Sequence, residues 1–186
     1  MSTTRANGRE LSPAEIDGHI GDLETRGYTI IPDALDADQI GPAIAAMEEI
    51  YARERPIAER MATQTAHAWA VHNAIGKHPF FETFYLNPAV LAVGGRLLGE
   101  NMVLHDCTPR SVLPSGGREE RRGFQIHVDR EVFSVVPFRG SQQHFPMAIN
   151  VAWCLVDFIA ANGATLIWPG SHLSNELPNP QQEYPG

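Results

Sequence analysis

Gln125-Ile126-His127-Val128-Asp129 and, further along, Asn162-Gly163-Ala164-Thr165-Leu166-Ile167-Trp168-Pro169-Gly170-Ser171-His172 are the two phrases from which the architecture of this chain is best approached. Side chains on an extended segment alternate between faces, so His127 and Asp129 project to the same side. They bring an imidazole nitrogen and a carboxylate oxygen to a common point. Such a pair supplies two members of the two-His-one-carboxylate face used for non-haem Fe(II). Alone the triplet is weak, because a core or surface histidine beside an unrelated aspartate has the same letters. The second phrase adds context. Asn162-Gly163 is turn chemistry, 164–168 is a short apolar strand, and Pro169-Gly170 turns again. Just before it, Met147-Ala148-Ile149-Asn150-Val151-Ala152-Trp153-Cys154-Leu155-Val156-Asp157 is a long run dominated by strand formers.

Working back toward the N-terminus, Ser12-Pro13-Ala14-Glu15 reads as an N-cap, a proline at the first helical position and an acid in the first turn. Ile16, Ile20 and Leu23 then form an apolar stripe, and Gly27 closes the helix. The segment 28–31 is expected to be a short strand ended by Pro32. Asp36 or Asp38 caps a second helix with Ile40, Ile44, Met47 and Ile50 on one face, and Pro42 is placed in its first turn, where a missing N–H does no harm. Residues 55–77 show no clear period and are expected to hold a strand or an irregular segment lining a pocket. Helices are predicted over 79–85 and 88–98, the second ending at Gly99, and a strand over 102–112. A loop over 114–123 leads into the strand 123–129 that carries His127 and Asp129. Residues 130–146, with Pro137, Gly140 and Pro146, form a connection of the length often used for lids and pocket walls. Early helices and later antiparallel strands make an α+β chain with a mainly β core. Residues 1–11 are expected to be a flexible tail and 12–186 a single domain.

Composition narrows the function classes. With 186 residues, 43% hydrophobic and 19% charged, the chain has the make-up of an ordinary globular domain with a real core. No apolar stretch reaches membrane-spanning length, and the first ten residues lack a signal-peptide core. A formal net charge of -8 argues against a nucleic-acid surface. Arg118, Arg121 and Arg122 cluster but are interrupted by Glu119 and Glu120, which reads as a solvated loop. Cys107 and Cys154 lack metal spacing; Cys154 is expected to be a small core residue. Nothing requires an oxidising compartment, so a cytoplasmic location is expected.

Taken together, these phrases resemble the phytanoyl-CoA dioxygenase family of Fe(II)- and 2-oxoglutarate-dependent oxygenases. Gly27-Tyr28-Thr29-Ile30-Ile31-Pro32-Asp33-Ala34-Leu35 before a helix looks like that family's opening, and Leu97-Leu98-Gly99-Glu100-Asn101 before a strand is similar too. The likeness runs from about residue 12 to 175, and matching phrases in the right order are more specific than any one of them. It implies a double-stranded β-helix, a cupin-like jelly roll, with the N-terminal helices packed on one sheet.

The resemblance implies that His127 and Asp129 are the catalytic iron ligands; Gln125 either hydrogen-bonds the 2-oxoglutarate co-substrate, as a Gln does in some related oxygenases, or is a strand polar residue facing the barrel lumen. Trp153 is either a wall of the cofactor pocket or an ordinary core aromatic. The family's third ligand is a distant downstream histidine, followed about ten residues later by an arginine whose fork holds the far carboxylate of 2-oxoglutarate. No histidine follows His172 and no arginine follows Arg139. That distal segment, with the last barrel strands, is therefore expected to be missing from these residues. His172 matches a family histidine that is not a ligand, and His144 is expected at the surface or in a pocket wall. His105 and Asp106 are expected to split across two faces of a strand, and His67, His72 and His78 receive no metal role.

The implied activity is oxidation, chiefly hydroxylation, of an unactivated C–H bond in a small organic substrate, with 2-oxoglutarate decarboxylated to succinate. Asp129 disfavours halogenation, which needs the carboxylate position vacant. The alternative is a non-catalytic relative, a fragment or binding module with an incomplete iron site. Its open strand edges would draw self-association or a second chain that completes the barrel. A cupin-like metal protein fits less well, because the paired-His strand motif is absent.

Overall fold

A computed structural model describes residues 8–61, 68–112 and 146–173. Helix α1 (Pro13–Arg26) starts as the sequence predicts. The Ser12 hydroxyl accepts the Glu15 N–H at 3.4 Å and the Glu15 carboxylate accepts the Ser12 N–H at 2.9 Å. This reciprocal box satisfies donors that a helix start leaves open. Gly27 ends the helix in the left-handed region at φ 81 and donates to the Leu23 carbonyl, a conformation that glycine adopts without steric cost.

Helix α2 (Ala37–Met61) begins one residue after Asp36. The Asp36 N–H is taken by Gln39 Oε1 at 3.1 Å, and the Gln39 N–H returns to the Asp36 carbonyl at 2.9 Å. Two expectations need correction. Pro42 lies inside the helix rather than in its first turn, so the Asp38 carbonyl has no N–H at its usual partner position. Asp38 and Pro42 are both exposed there. The buried face is also rotated. Ala43, Ala46, Met47 and Ile50 are in the core, whereas Ile40 and Ile44 are only half-buried. Small alanines face inward because bulky Phe81 and Phe84 arrive from later in the chain to fill the same cluster, together with Val71 and Ala74.

The strand β1 (Ala68–Ala70) pairs antiparallel with β2 (Arg110–Val112), with Ala68 opposite Val112 and Ala70 opposite Arg110. A 3-10 turn at Pro79–Phe81 runs into the short helix α3 (Glu82–Tyr85), where 79–85 was expected to be helical throughout. Helix α4 (Pro88–Leu98) has the predicted bounds and packs on α1. Its N-cap is Asn87, a fully buried side chain that accepts from the Ala89 and Val90 N–H groups and donates to the Ala34 carbonyl at 2.7 Å. A Cβ at Gly94 would stand 2.9 Å from Met102 Sδ and 3.5 Å from Ile149 Cδ1, so this helix face lies under residues 102 and 149.

The predicted strand 102–112 is confined to Arg110–Val112. Segments 28–31, 147–157 and 164–168 carry no strand assignment. A strand needs a partner as well as β-forming residues, and the expected strand 123–129 lies outside the described residues. Cys154 is exposed, correcting its expected place in the core, as are Met147, Val151, Val156, Phe158, Leu166 and Ile167. The apolar run that suggested a buried strand therefore turns only part of itself inward. Among the described residues no helix is long and apolar enough to cross a membrane.

Candidate functional site

Gln125, His127 and Asp129 lie outside the described residues, as do His67 and His144. Trp153 is the sequence-predicted site residue that can be placed. Its half-buried indole stacks on Phe84 with ring centroids 5.2 Å apart and planes 21° from parallel. Phe84 in turn meets Phe80 and Phe81 at 5.8 Å and 5.7 Å. Offset and edge contacts of this kind are favourable because the electron-rich face of one ring meets the positive edge of another. Leu155, Tyr51 and Cys107 pack on the same cluster. Trp153 thus anchors the 146–158 segment to the aromatic core while keeping part of its ring accessible.

Two titratable groups beside this cluster are held neutral. Burial pushes the Tyr51 phenol up to about 12. The Cys107 thiol is pushed up to about 11 by burial first and then by the neighbouring Asp106 carboxylate. A thiol so rarely ionised at neutral pH is a poor nucleophile and a poor metal ligand.

Asp106, which the sequence suggested only as a strand neighbour of His105, sits in a polar loop. Its carboxyl is held below the usual carboxylate range, first by the Thr108 hydroxyl, then by the backbone N–H groups of Cys107 and Asn73 and by the nearby His72. The Cys107 N–H donates to it at 2.7 Å. The loop is docked by the Ala74 N–H, which donates to the Cys107 carbonyl at 3.0 Å. His105 and Asp106 are both exposed and lie outside any strand, so their expected division between two sheet faces does not hold. No sequence signal pairs His72 with Asp106, because their approach depends on how two loops cross.

The remaining described histidines have local duties. His19 Nδ1 lies 2.8 Å from the Thr29 hydroxyl, which donates to Asp22 at 3.2 Å. His78 Nδ1 accepts the Phe80 N–H at 3.1 Å and caps the turn at Pro79–Phe81. His172 Nε2 lies 3.0 Å from the Glu24 carbonyl. Among the described residues no three His, Cys, Asp or Glu side chains converge on a point where a metal could sit.

Comparison with known proteins gives these observations a frame. The family model described as Phytanoyl-CoA dioxygenase (PhyH) matches residues 23–185. The uncharacterized proteins Mb1539 of Mycobacterium bovis and Rv1501 of Mycobacterium tuberculosis are each 29% identical to this chain over 168 residues. Each match covers 84% of this chain and 56% of the relative, so the chain spans about half the length of these curated proteins. No solved structure matches.

Proposed function

Since this chain belongs to the phytanoyl-CoA dioxygenase family, we propose that it forms part of an Fe(II)- and 2-oxoglutarate-dependent dioxygenase that oxidises an unactivated C–H bond, most simply by hydroxylation, in a small organic molecule. The observation that carries this reading is the family match across 23–185, which includes His127 and Asp129. The donor set fits the group. One imidazole and one carboxylate at alternate positions are hard-to-borderline ligands suited to Fe(II) and insufficient for a closed structural zinc site. When bound, iron and 2-oxoglutarate supply C–H oxidation coupled to decarboxylation of the co-substrate to succinate, chemistry that no side chain provides.

The roles of the chain's own residues follow. His127 and Asp129 hold the metal, with the imidazole neutral and the carboxylate ionised. Gln125, on the same face if 123–129 is a strand, offers an amide N–H to a co-substrate oxygen. Trp153, held against Phe84, offers the open part of its ring as an apolar wall that excludes water. We place these groups in a double-stranded β-helix with the N-terminal helices on one sheet.

The test is anaerobic Fe(II) titration of wild type, H127A and D129A, with and without 2-oxoglutarate. Each substitution is expected to weaken iron binding by roughly 100-fold or more, beyond the 10–100-fold that follows from disturbing groups behind a ligand. 2-Oxoglutarate should tighten iron binding in the wild type only. Equal affinity in all three proteins would refute the assignment.

A second reading, a non-catalytic binding module, is favoured by the exposed apolar side chains Val151, Val156, Phe158, Ile159, Leu166 and Ile167. Surfaces of that kind mark partner sites. Weak metal binding that ignores 2-oxoglutarate, in the wild type and both variants alike, would select it.

A further inference from the structure

The turn that ends the second sequence phrase is fastened to helix α1 by contacts that the iron chemistry does not use. The Gly170 N–H donates to the Arg26 carbonyl at 2.8 Å. The His172 ring approaches the Glu24 carbonyl through Nε2 at 3.0 Å. A carbonyl can only accept, so Nε2 must carry the hydrogen. Both carbonyls belong to the last turn of α1, where carbonyls lack a partner within the helix and carry its negative dipole end. Two donors from the distant turn therefore meet acceptors that would otherwise need water.

The ring also fits a gap that only glycine leaves. A Cβ at Gly27 would fall 2.5 Å from His172 Nδ1, 2.9 Å from Cγ and 3.1 Å from Cε1, all below van der Waals contact. Gly27 thus does two things: it reaches φ 81 to end the helix, and it opens the notch that admits the imidazole. On the other side of the contact Gly170, at φ 74, brings the turn close to the Thr25 carbonyl.

We propose that His172 and Gly27 form a latch, a conformational device that holds the Pro169-Gly170-Ser171-His172 turn on the C-terminal end of α1. It fixes the chain leaving the Trp153 segment relative to the N-terminal helix. Nε2, committed as a donor to Glu24, is not offered to a metal. Met, Leu or Ala at position 172 could fill space there but could not satisfy the helix-end carbonyl.

The test is a double-mutant cycle by urea denaturation of the full chain, using wild type, H172A, G27A and G27A/H172A. H172A is expected to lower the folded-to-unfolded ratio by about tenfold, and G27A by more than that, because it both expels the ring and strains the backbone. G27A includes a backbone cost from its positive φ that survives in any background. Once the ring is gone the clash at Gly27 disappears. The combined loss should therefore fall short of the product of the single losses by about tenfold, a coupling of about 1.4 kcal/mol. Effects that multiply to within about twofold overturn the latch.

A measurement on the unmutated protein keeps the proposal testable if a variant fails to fold. In the assigned long-range 1H–15N spectrum, neutral His172 is expected as the Nε2–H tautomer. Finding the Nδ1–H tautomer instead overturns it.

Discussion

Replacing Asn87 by alanine tests whether one buried amide joins two parts of the chain. Its side chain is 0% exposed. Oδ1 accepts from the Ala89 and Val90 N–H groups at 3.1 Å and 3.2 Å, and Nδ2 donates to the Ala34 carbonyl at 2.7 Å across 53 residues of sequence. Losing the helix cap costs about 1 kcal/mol. Removing the donor from the Ala34 carbonyl costs a further ~1 kcal/mol, the low end of the usual range because Ala34 is only half-buried. N87A should therefore lose about 2 kcal/mol, a large part of a stability that is typically about 5–15 kcal/mol.

Two further variants separate the contributions. N87S keeps an acceptor for the cap but is too short to reach residue 34, and should lose about 1 kcal/mol. N87D also keeps the cap acceptor, but puts a second carboxylate oxygen from a buried side chain against the Ala34 carbonyl, and should be at least as unstable as N87A. The assay is urea unfolding followed by far-UV circular dichroism at constant slope, so that midpoint shifts report stability. An N87A protein within about 0.5 kcal/mol of wild type would refute the reasoning. An N87D protein as stable as wild type would show that the hydrogen bond from Nδ2 to the Ala34 carbonyl contributes nothing to stability.

The thiols and the buried phenol provide two more tests. At pH 8 a disulfide reagent should modify exposed Cys154 quickly and half-buried Cys107 slowly, since a thiol at about 11 is roughly one-thousandth ionised there. Equal rates, or faster reaction at Cys107, would contradict the packing. Alkaline stability should also fall. Tyr51 and Cys107 have folded values raised to about 12 and about 11, above their ordinary 10.0 and 9.0, so the folded state keeps protons that the unfolded chain releases. Stability contributed by these groups is present below pH 9 and is lost as pH rises from about 9 to 12. Y51F and C107S together should flatten that decline; an unchanged alkaline slope in the double variant would be the contrary result.

Much of the local structure is legible in the sequence. The Ser12 cap, the Gly27 closure and the bounds of α4 arise from interactions within about four residues, and all appear as expected. The errors fall where a distant partner sets the outcome. Which side of α2 is buried depends on Phe81 and Phe84, so a face drawn through Ile40 and Ile44 is rotated. The strands expected over 102–109 and 147–157 depend on a neighbour to receive their N–H and C=O groups, and the expected neighbour 123–129 lies outside the described residues.

The candidate site divides along the same line. His127 and Asp129 stand out in the sequence because alternate positions of an expected strand would share a face, and both fall within the family match. By itself, then, the sequence determined the family and the ends of α1 and α4, because these are encoded in short stretches of chain. Only tertiary structure decided that Trp153 stacks on Phe84 and that His172 enters the notch at Gly27, against a helix end 148 residues away. Such contacts depend on shape and on unsatisfied carbonyls brought together by the folding of the whole chain, and nothing in the neighbourhood of either residue announces them.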